Sequence, residues 1–254
     1  MSQAERARQF AALHVKGEPL VLYNIWDAGS ARAVADSGAK ALATGSWSVA
    51  AAQGYEDGQA LPLADLLATA HRIAGSVELP LTVDFEGGYA EDEEALAANL
   101  TQLIATGAVG INFEDQIVGG DGLHSLDVQA GRIRAVRQAA AAAGVPLFIN
   151  ARTDLFLKQA DATKHAALMD EAGARAAAYA EAGASGYFVP GLVAEDLVAR
   201  ICEISPLPVN AMMKPGAPSR ARLAELGVAR ISHGPFPYIA VMEQLKAAAR
   251  EALA

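Results

Sequence analysis

Asp84 and Glu86 stand two residues apart in the run Thr82-Val-Asp-Phe-Glu-Gly-Gly-Tyr89. If a strand begins at Leu81, alternate side chains share a face and both carboxylates point at one site. Two like charges that close repel unless a proton or a cation sits between them. A hard divalent ion that takes oxygen ligands fits there, Mg²⁺ first and Mn²⁺ second. Gly87 and Gly88 allow a sharp turn and a close approach of a ligand to the backbone. The same spacing also describes a strand that simply ends in two solvated acids ahead of a helix, so the surroundings have to decide.

Short apolar runs recur along the chain at residues 20–25, 41–44, 81–85, 110–113, 146–150, 186–189, 208–212 and 229–232. They lack polar alternation, as parallel strands buried on both faces do. Helical segments lie between them, at 28–37, 63–74, 92–106, 126–143, 162–182, 194–203 and 219–226. A helix over 2–15 precedes the first strand and another over 238–253 closes the chain. Glycines 38, 107, 144, 183 and 227 stop helices where the chain turns back into a strand. Strict alternation argues the α/β class, and eight units in 254 residues predict one domain, a (β/α)8 TIM barrel over residues 1–254. A doubly wound nucleotide-binding sheet would carry G-x-G-x-x-G after its first strand, and none is present.

In a barrel of this kind the site lies at the C-terminal ends of the strands. In order, those ends carry Trp26 with Asp27, Gly45-Ser46-Trp47, Asp84 with Glu86, Glu114 with Asp115, Arg152 with Asp154, Lys214, and His233. Acids gather after the third and fourth strands. Arg152, after the fifth, offers the planar fork that grips a carboxylate. A metal held by acids beside such an arginine suits a small 2-oxo or 2-hydroxy carboxylic acid.

Composition narrows the class further. A net charge of −9 argues against a nucleic-acid partner, which needs a basic face. No apolar run reaches the ~18 residues of a membrane span. Residues 1–14 carry mixed charge and no apolar signal region. The single cysteine, Cys202, excludes an internal disulfide and a Cys-based zinc cluster. A cytoplasmic protein with no nucleic-acid or membrane partner is expected.

The runs Trp26-Asp-Ala-Gly-Ser-Ala31, Gly45-Ser46 through Asp57, Asp84-Phe-Glu-Gly-Gly-Tyr89, Phe113-Glu-Asp-Gln116 and Asn150-Ala-Arg-Thr153 resemble the isocitrate lyase/phosphoenolpyruvate mutase superfamily, in order and spacing. The resemblance covers nearly the whole barrel. It implies a Mg²⁺-dependent enzyme acting on the C–C or C–P bond of a 2-oxo or 2-hydroxy acid through an enolate. By position, Asp84 matches the direct metal ligand. Asp57, Glu86 and Glu114 match acids that hold the metal through its waters. The backbone at Gly45-Ser46-Trp47, together with Arg152, matches the parts that bind the substrate carboxylate and the developing enolate oxygen, and Trp26 and Asp27 match a lining pair. Relatives exchange their last helix between subunits, which implies a homodimer or homotetramer; the apolar face of residues 238–253 suits such packing.

Two departures bear on the reaction. The family's Asp-x-Asp-x-Gly-Tyr-Gly reads Asp84-Phe-Glu-Gly-Gly-Tyr89 here. After the fourth strand, Gln116-Ile-Val-Gly-Gly-Asp-Gly-Leu-His-Ser125 carries neither the Lys/Arg-Cys of the lyases nor the Lys, Thr and Asn of the phosphonopyruvate enzymes. What remains is an enolate-stabilising kit, which matches decarboxylation of a 3-carboxy-2-oxo acid such as oxaloacetate. A 2-methylisocitrate-type lyase or a C–P enzyme is the alternative; a retro-aldol step would need a base, for which Asp57, Tyr55 and His124 are candidates. A non-catalytic barrel that binds a carboxylic acid is a reading of another class. His233 is expected to line the pocket, and Asp115 to pair with Arg152 or Lys214.

Overall fold

A computed structural model describes all 254 residues. Eight strands form one parallel sheet: β1 (Leu20–Leu22), β2 (Leu42–Ala43), β3 (Leu81–Asp84), β4 (Gly110–Glu114), β5 (Phe148–Arg152), β6 (Gly186–Phe188), β7 (Val209–Met212) and β8 (Arg230–Ser232). Their order is β1-β8-β7-β6-β5-β4-β3-β2. Between the two ends of that order, a parallel bridge joins Ile25 to Thr44, with the Ile25 amide donating to Ala43 O at 2.9 Å. The eight parallel strands therefore make a nearly closed (β/α)8 barrel.

Eleven α-helices surround it: α1 (Gln3–Ala12), α2 (Ala28–Asp36), α3 (Ser46–Ala52), α4 (Leu63–Ala74), α5 (Glu93–Ala105), α6 (Leu126–Ala142), α7 (Leu155–Lys158), α8 (Met169–Glu181), α9 (Glu195–Ile204), α10 (Arg220–Glu225) and α11 (Phe236–Leu253). Side-chain caps start several of them, among them Ser2 on α1, Asp27 on α2, Asp92 on α5 and Ser125 on α6. No helix is long and apolar enough to cross a membrane. Two stretches differ from the sequence-based expectation. Residues 46–52 form α3, where the sequence marks no helix; Gly45 gives its N-terminus no side-chain cap, so the usual start signal is missing. The segment over 162–182 is a 3₁₀ helix, Ala162–Leu168, followed by α8.

Helix α1 lies against the bottom of the barrel. Phe10 is fully buried against Phe148, and the His14 ring stacks on Phe148 at 3.9 Å. Burial pushes His14 down to about 3, so its ring is neutral at ordinary pH. Above it the lumen turns polar. Asn150 Nδ2 donates to Asn112 Oδ1 at 2.9 Å and to Asn210 Oδ1 at 3.0 Å, and Arg230 Nη2 donates to Asn112 Oδ1 at 3.1 Å. Barrels of this class usually fill that layer with branched apolar residues. Here the apolar core lies between strands and helices, and the lumen supports the site above it.

Candidate active site

The opening acids sit where β3 runs out. The Asp84 amide donates to Thr44 Oγ1 at 2.9 Å, which ties β3 to the end of β2. Asp84 Oδ2 accepts the Ser46 amide at 3.2 Å, whereas Oδ1 is buried with no partner. Burial raises Asp84 above the usual carboxylate range, against the opposing pull of Arg152 and the Ser46 amide.

Glu86 follows in the left-handed region, with φ +49°, as does Tyr89 with φ +58°. Non-glycine residues enter that region at a cost of about 1–3 kcal/mol, a form of strain that clusters at functional sites. Gly88, with φ +81°, has no room for a side chain between Leu96 and Phe113. The turn aims the Glu86 carboxylate away from the cavity. Its Oε2 accepts the Gln59 amide at 2.8 Å and its Oε1 the Tyr89 hydroxyl at 3.2 Å. Burial, with Asp84 and Asp57 nearby, pushes Glu86 up to about 7.

Arg152 ends β5 in a bed of acids. Its Nε and Nη2 donate to Asp154 at 2.6 and 2.9 Å, and Nη1 lies 3.0 Å from Glu114 Oε2. Burial alone would lower its pKa; Glu114, Asp154 and Asp84 outweigh that and hold the guanidinium well above its ordinary value. Glu114 shares Arg152 with Asp154, and burial pushes it up to about 8 despite the ion pair.

Asp84 and Arg152 line a cavity of about 180 Å³ at the C-terminal end of the strands. Asn24, Gly45, Ser46, Asp57, Asp84, Asn112, Arg152 and Ser232 form its polar side. Leu157, Phe188, Pro190, Met212 and Pro235 form an apolar wall, and Trp47 also contributes. A space this small suits a small-molecule ligand.

The cavity thus gathers Gly45, Ser46, Trp47, Asp57, Asp84 and Arg152 from the expected set. Glu86 and Glu114 stand behind its lining, holding Gln59 and Arg152. Four expected residues lie elsewhere. Asp27 is exposed and caps α2, accepting the Ser30 amide at 2.7 Å. Trp26 packs edge-on against Tyr238 of α11. The His124 ring faces Glu91, 4.0 Å away, while its backbone is pinned to Asp115 O and Arg175. The His233 ring leans on Tyr23 and Leu22 O, and only its amide approaches the site, donating to Asn24 Oδ1 at 2.8 Å. Asp115 pairs with neither Arg152 nor Lys214. It accepts Arg175 Nη1 at 3.0 Å, the Tyr179 hydroxyl at 2.8 Å and the Asp154 amide at 3.0 Å.

Residues 10–253 match the family model described as phosphoenolpyruvate phosphomutase. The chain belongs to this family. Its members include 2-methylisocitrate lyases, oxaloacetate decarboxylases and phosphonomutases, all lyases or mutases. A Burkholderia cenocepacia J2315 protein provisionally assigned as a phosphonomutase is 49% identical; the match covers 99% of this chain and 100% of that one, with a TM-score of 0.96. An oxaloacetate decarboxylase of Chromohalobacter salexigens is 28% identical over 255 residues, covering 95% of this chain and 83% of its own. A phosphonopyruvate hydrolase solved with oxalate and Mg²⁺ shares the fold, with a TM-score of 0.82 at 20% identity, over 96% of this chain and 86% of its own.

Proposed function

We propose that this protein is a divalent-metal-dependent lyase that cleaves a C–C bond beside the 2-oxo group of a small carboxylic acid, in its simplest form decarboxylating oxaloacetate or a relative. The observation that carries this reading is Asp84 Oδ1, a buried carboxylate oxygen without a partner, in a cavity wall that also holds Arg152. A buried acceptor of that kind calls for a cation or a donor. No three acidic or histidine side chains converge tightly enough to ligate an ion together. Asp84 would therefore hold Mg²⁺ or Mn²⁺ directly, with Asp57, Glu86 and Glu114 acting through water. When bound, the metal would polarise the 2-oxo group as a Lewis acid.

The chain's own residues supply the rest. Arg152, its charge fixed by Glu114 and Asp154, offers a cation to a substrate carboxylate and to the negative charge that grows on the neighbouring oxygen. The wall of Leu157, Phe188, Pro190 and Met212 is apolar and offers no cation to a second carboxylate. A carboxylate against such a wall is poorly solvated, and it is relieved by leaving as neutral CO₂. In that step the C3–carboxylate bond breaks, its electron pair stays on the substrate as an enolate, and solvent later returns a proton to carbon. No base is required, in keeping with a loop over 116–125 whose histidine faces Glu91.

With Mg²⁺ present, the purified protein is expected to release pyruvate from oxaloacetate faster than Mg²⁺ alone. Asp84→Ala and Arg152→Ala are expected to lose that acceleration while remaining folded by circular dichroism; variants that matched wild type would overturn the proposal.

A further inference from the structure

The barrel lumen holds a charge that this chemistry does not use. Arg230, on β8, is 1% exposed. It reaches Asn112 Oδ1 through Nη2, and its Nε and Nη1 have no partner. Arg152 and Arg175, by contrast, are each paired with carboxylates. Asn112 is the β4 residue in register with Asp84 and lines the cavity, so Arg230 lies one side chain beneath the site floor. On the other side of the lumen, Asp84 Oδ1 is itself unpartnered. An unpaired buried cation costs several kcal/mol, and a well-packed apolar residue of similar volume is commonly no worse for stability. Packing alone therefore does not explain an arginine here.

The site above supplies a reason. Asp57 and Asp84 line the cavity, Glu86, Glu114 and Asp154 stand behind its lining, and Arg152 is the cation among them. Such a site attracts a divalent cation and repels the anion that the proposed reaction needs. We propose that Arg230 is the internal counter-charge of this site, an electrostatic positioning residue that offsets the acids from below and sets the balance between metal and anion affinity. The inference rests on the proposed function for the nature of the anion. Burial pushes Arg230 down to about 9, which leaves it charged at neutral pH. Neutral His14 beneath it adds no second charge.

The role has a signature that a packing role lacks, because removing one buried positive charge acts with opposite sign on the two ligands. Coulomb interaction over the width of a barrel lumen, at an effective dielectric near 20, corresponds to roughly tenfold in each affinity. The test compares wild type, Arg230→Met and Arg230→Lys. Mn²⁺ binding is followed by the electron paramagnetic resonance of the free ion, and oxalate binding to the Mn²⁺-loaded protein by calorimetry. Arg230→Met is expected to bind Mn²⁺ about tenfold tighter and oxalate about tenfold weaker, with Arg230→Lys close to wild type in both. Should Met not fold, Arg230→Gln carries the same expectations. A folded neutral variant that binds both probes as wild type does, or loses both together, overturns the proposal, as does a Lys variant that behaves like Met. A wild type that fails to bind oxalate sinks the proposed function instead, and the Mn²⁺ measurement still judges Arg230.

Discussion

Glu86 gives the sharpest test of how the acid cluster is built. Its ordinary pKa of 4.5 rises to about 7 in the folded protein, first through burial and then through Asp84 and Asp57. Between those values the folded state holds a proton that the unfolded chain has released. The stability tied to that proton is full below pH 4.5 and is lost as pH rises through about 7. At about 1.4 kcal/mol per pH unit, the loss by pH 8 is about 3 kcal/mol. His14 acts in the other direction: burial lowers it from 6.5 to about 3, so its contribution is present above pH 6.5 and is lost as pH falls. The two slopes oppose each other between pH 4.5 and 6.5, so the wild-type curve alone is uninformative. The difference between wild type and Glu86→Gln isolates the carboxyl, because Gln keeps an oxygen for the Gln59 amide and mimics the protonated acid. In metal-free buffer the variant is expected to lie within about 1 kcal/mol of wild type near pH 5. At pH 8 it should be more stable by about 3 kcal/mol, equivalent to a melting point higher by about 6–12 °C for a chain of this size. Thermal melts at both pH values measure this. A variant no more stable than wild type at pH 8 would refute the assignment of Glu86 as a desolvated acid beside like charges.

Three other perturbations follow from the same contacts. Arg152→Lys keeps the charge but cannot reproduce the two bonds to Asp154, at 2.6 and 2.9 Å; steady-state assays of oxaloacetate decarboxylation should show kcat/KM lower by roughly 100-fold. Asp115→Ala leaves Arg175 without its buried carboxylate and frees the Asp154 amide; urea denaturation should report a loss of about 3–5 kcal/mol. Helix α11 buries only Pro237 within the chain while Ile239, Val241 and Leu245 are 39–60% exposed. We therefore expect a homodimer or homotetramer by light scattering, and a shift to monomer on Leu245→Glu.

The barrel was legible in the sequence because its signals are periodic and redundant. Eight apolar runs, five of them preceded by a glycine that stops a helix, leave few other arrangements for 254 residues. The helix over 46–52 lacked its start signal, because Gly45 caps nothing, although Val49-Ala-Ala-Ala52 is a good helix-forming run. That Asp84 and Arg152 share one cavity was legible for the same reason as the fold: both stand at strand ends, and strand ends face one mouth. Asp27, His124 and His233 also stand at strand ends or in the adjoining loops, yet their side chains turn aside to cap α2, to face Glu91 and to lean on Leu22 O. Position along a strand places the backbone near the site, and only the local turn decides where the side chain points.

The partners of the expected residues were harder to read than the residues themselves. Asp154 follows Arg152 by two positions, the same spacing that singled out Asp84 and Glu86, yet Arg152 and Asp154 clamp one another whereas Asp84 and Glu86 turn to different partners. Asn112, Asn150 and Asn210 sit within strands and Arg230 begins β8, all inside runs that read as apolar core. A single asparagine in a buried strand is unremarkable. Four polar side chains from four different strands become one layer only when the barrel closes and brings β4, β5, β7 and β8 around a common axis. That layer carries the positive charge beneath an acid-lined cavity, which makes the charge balance of the site a property of the closed barrel and of no single segment.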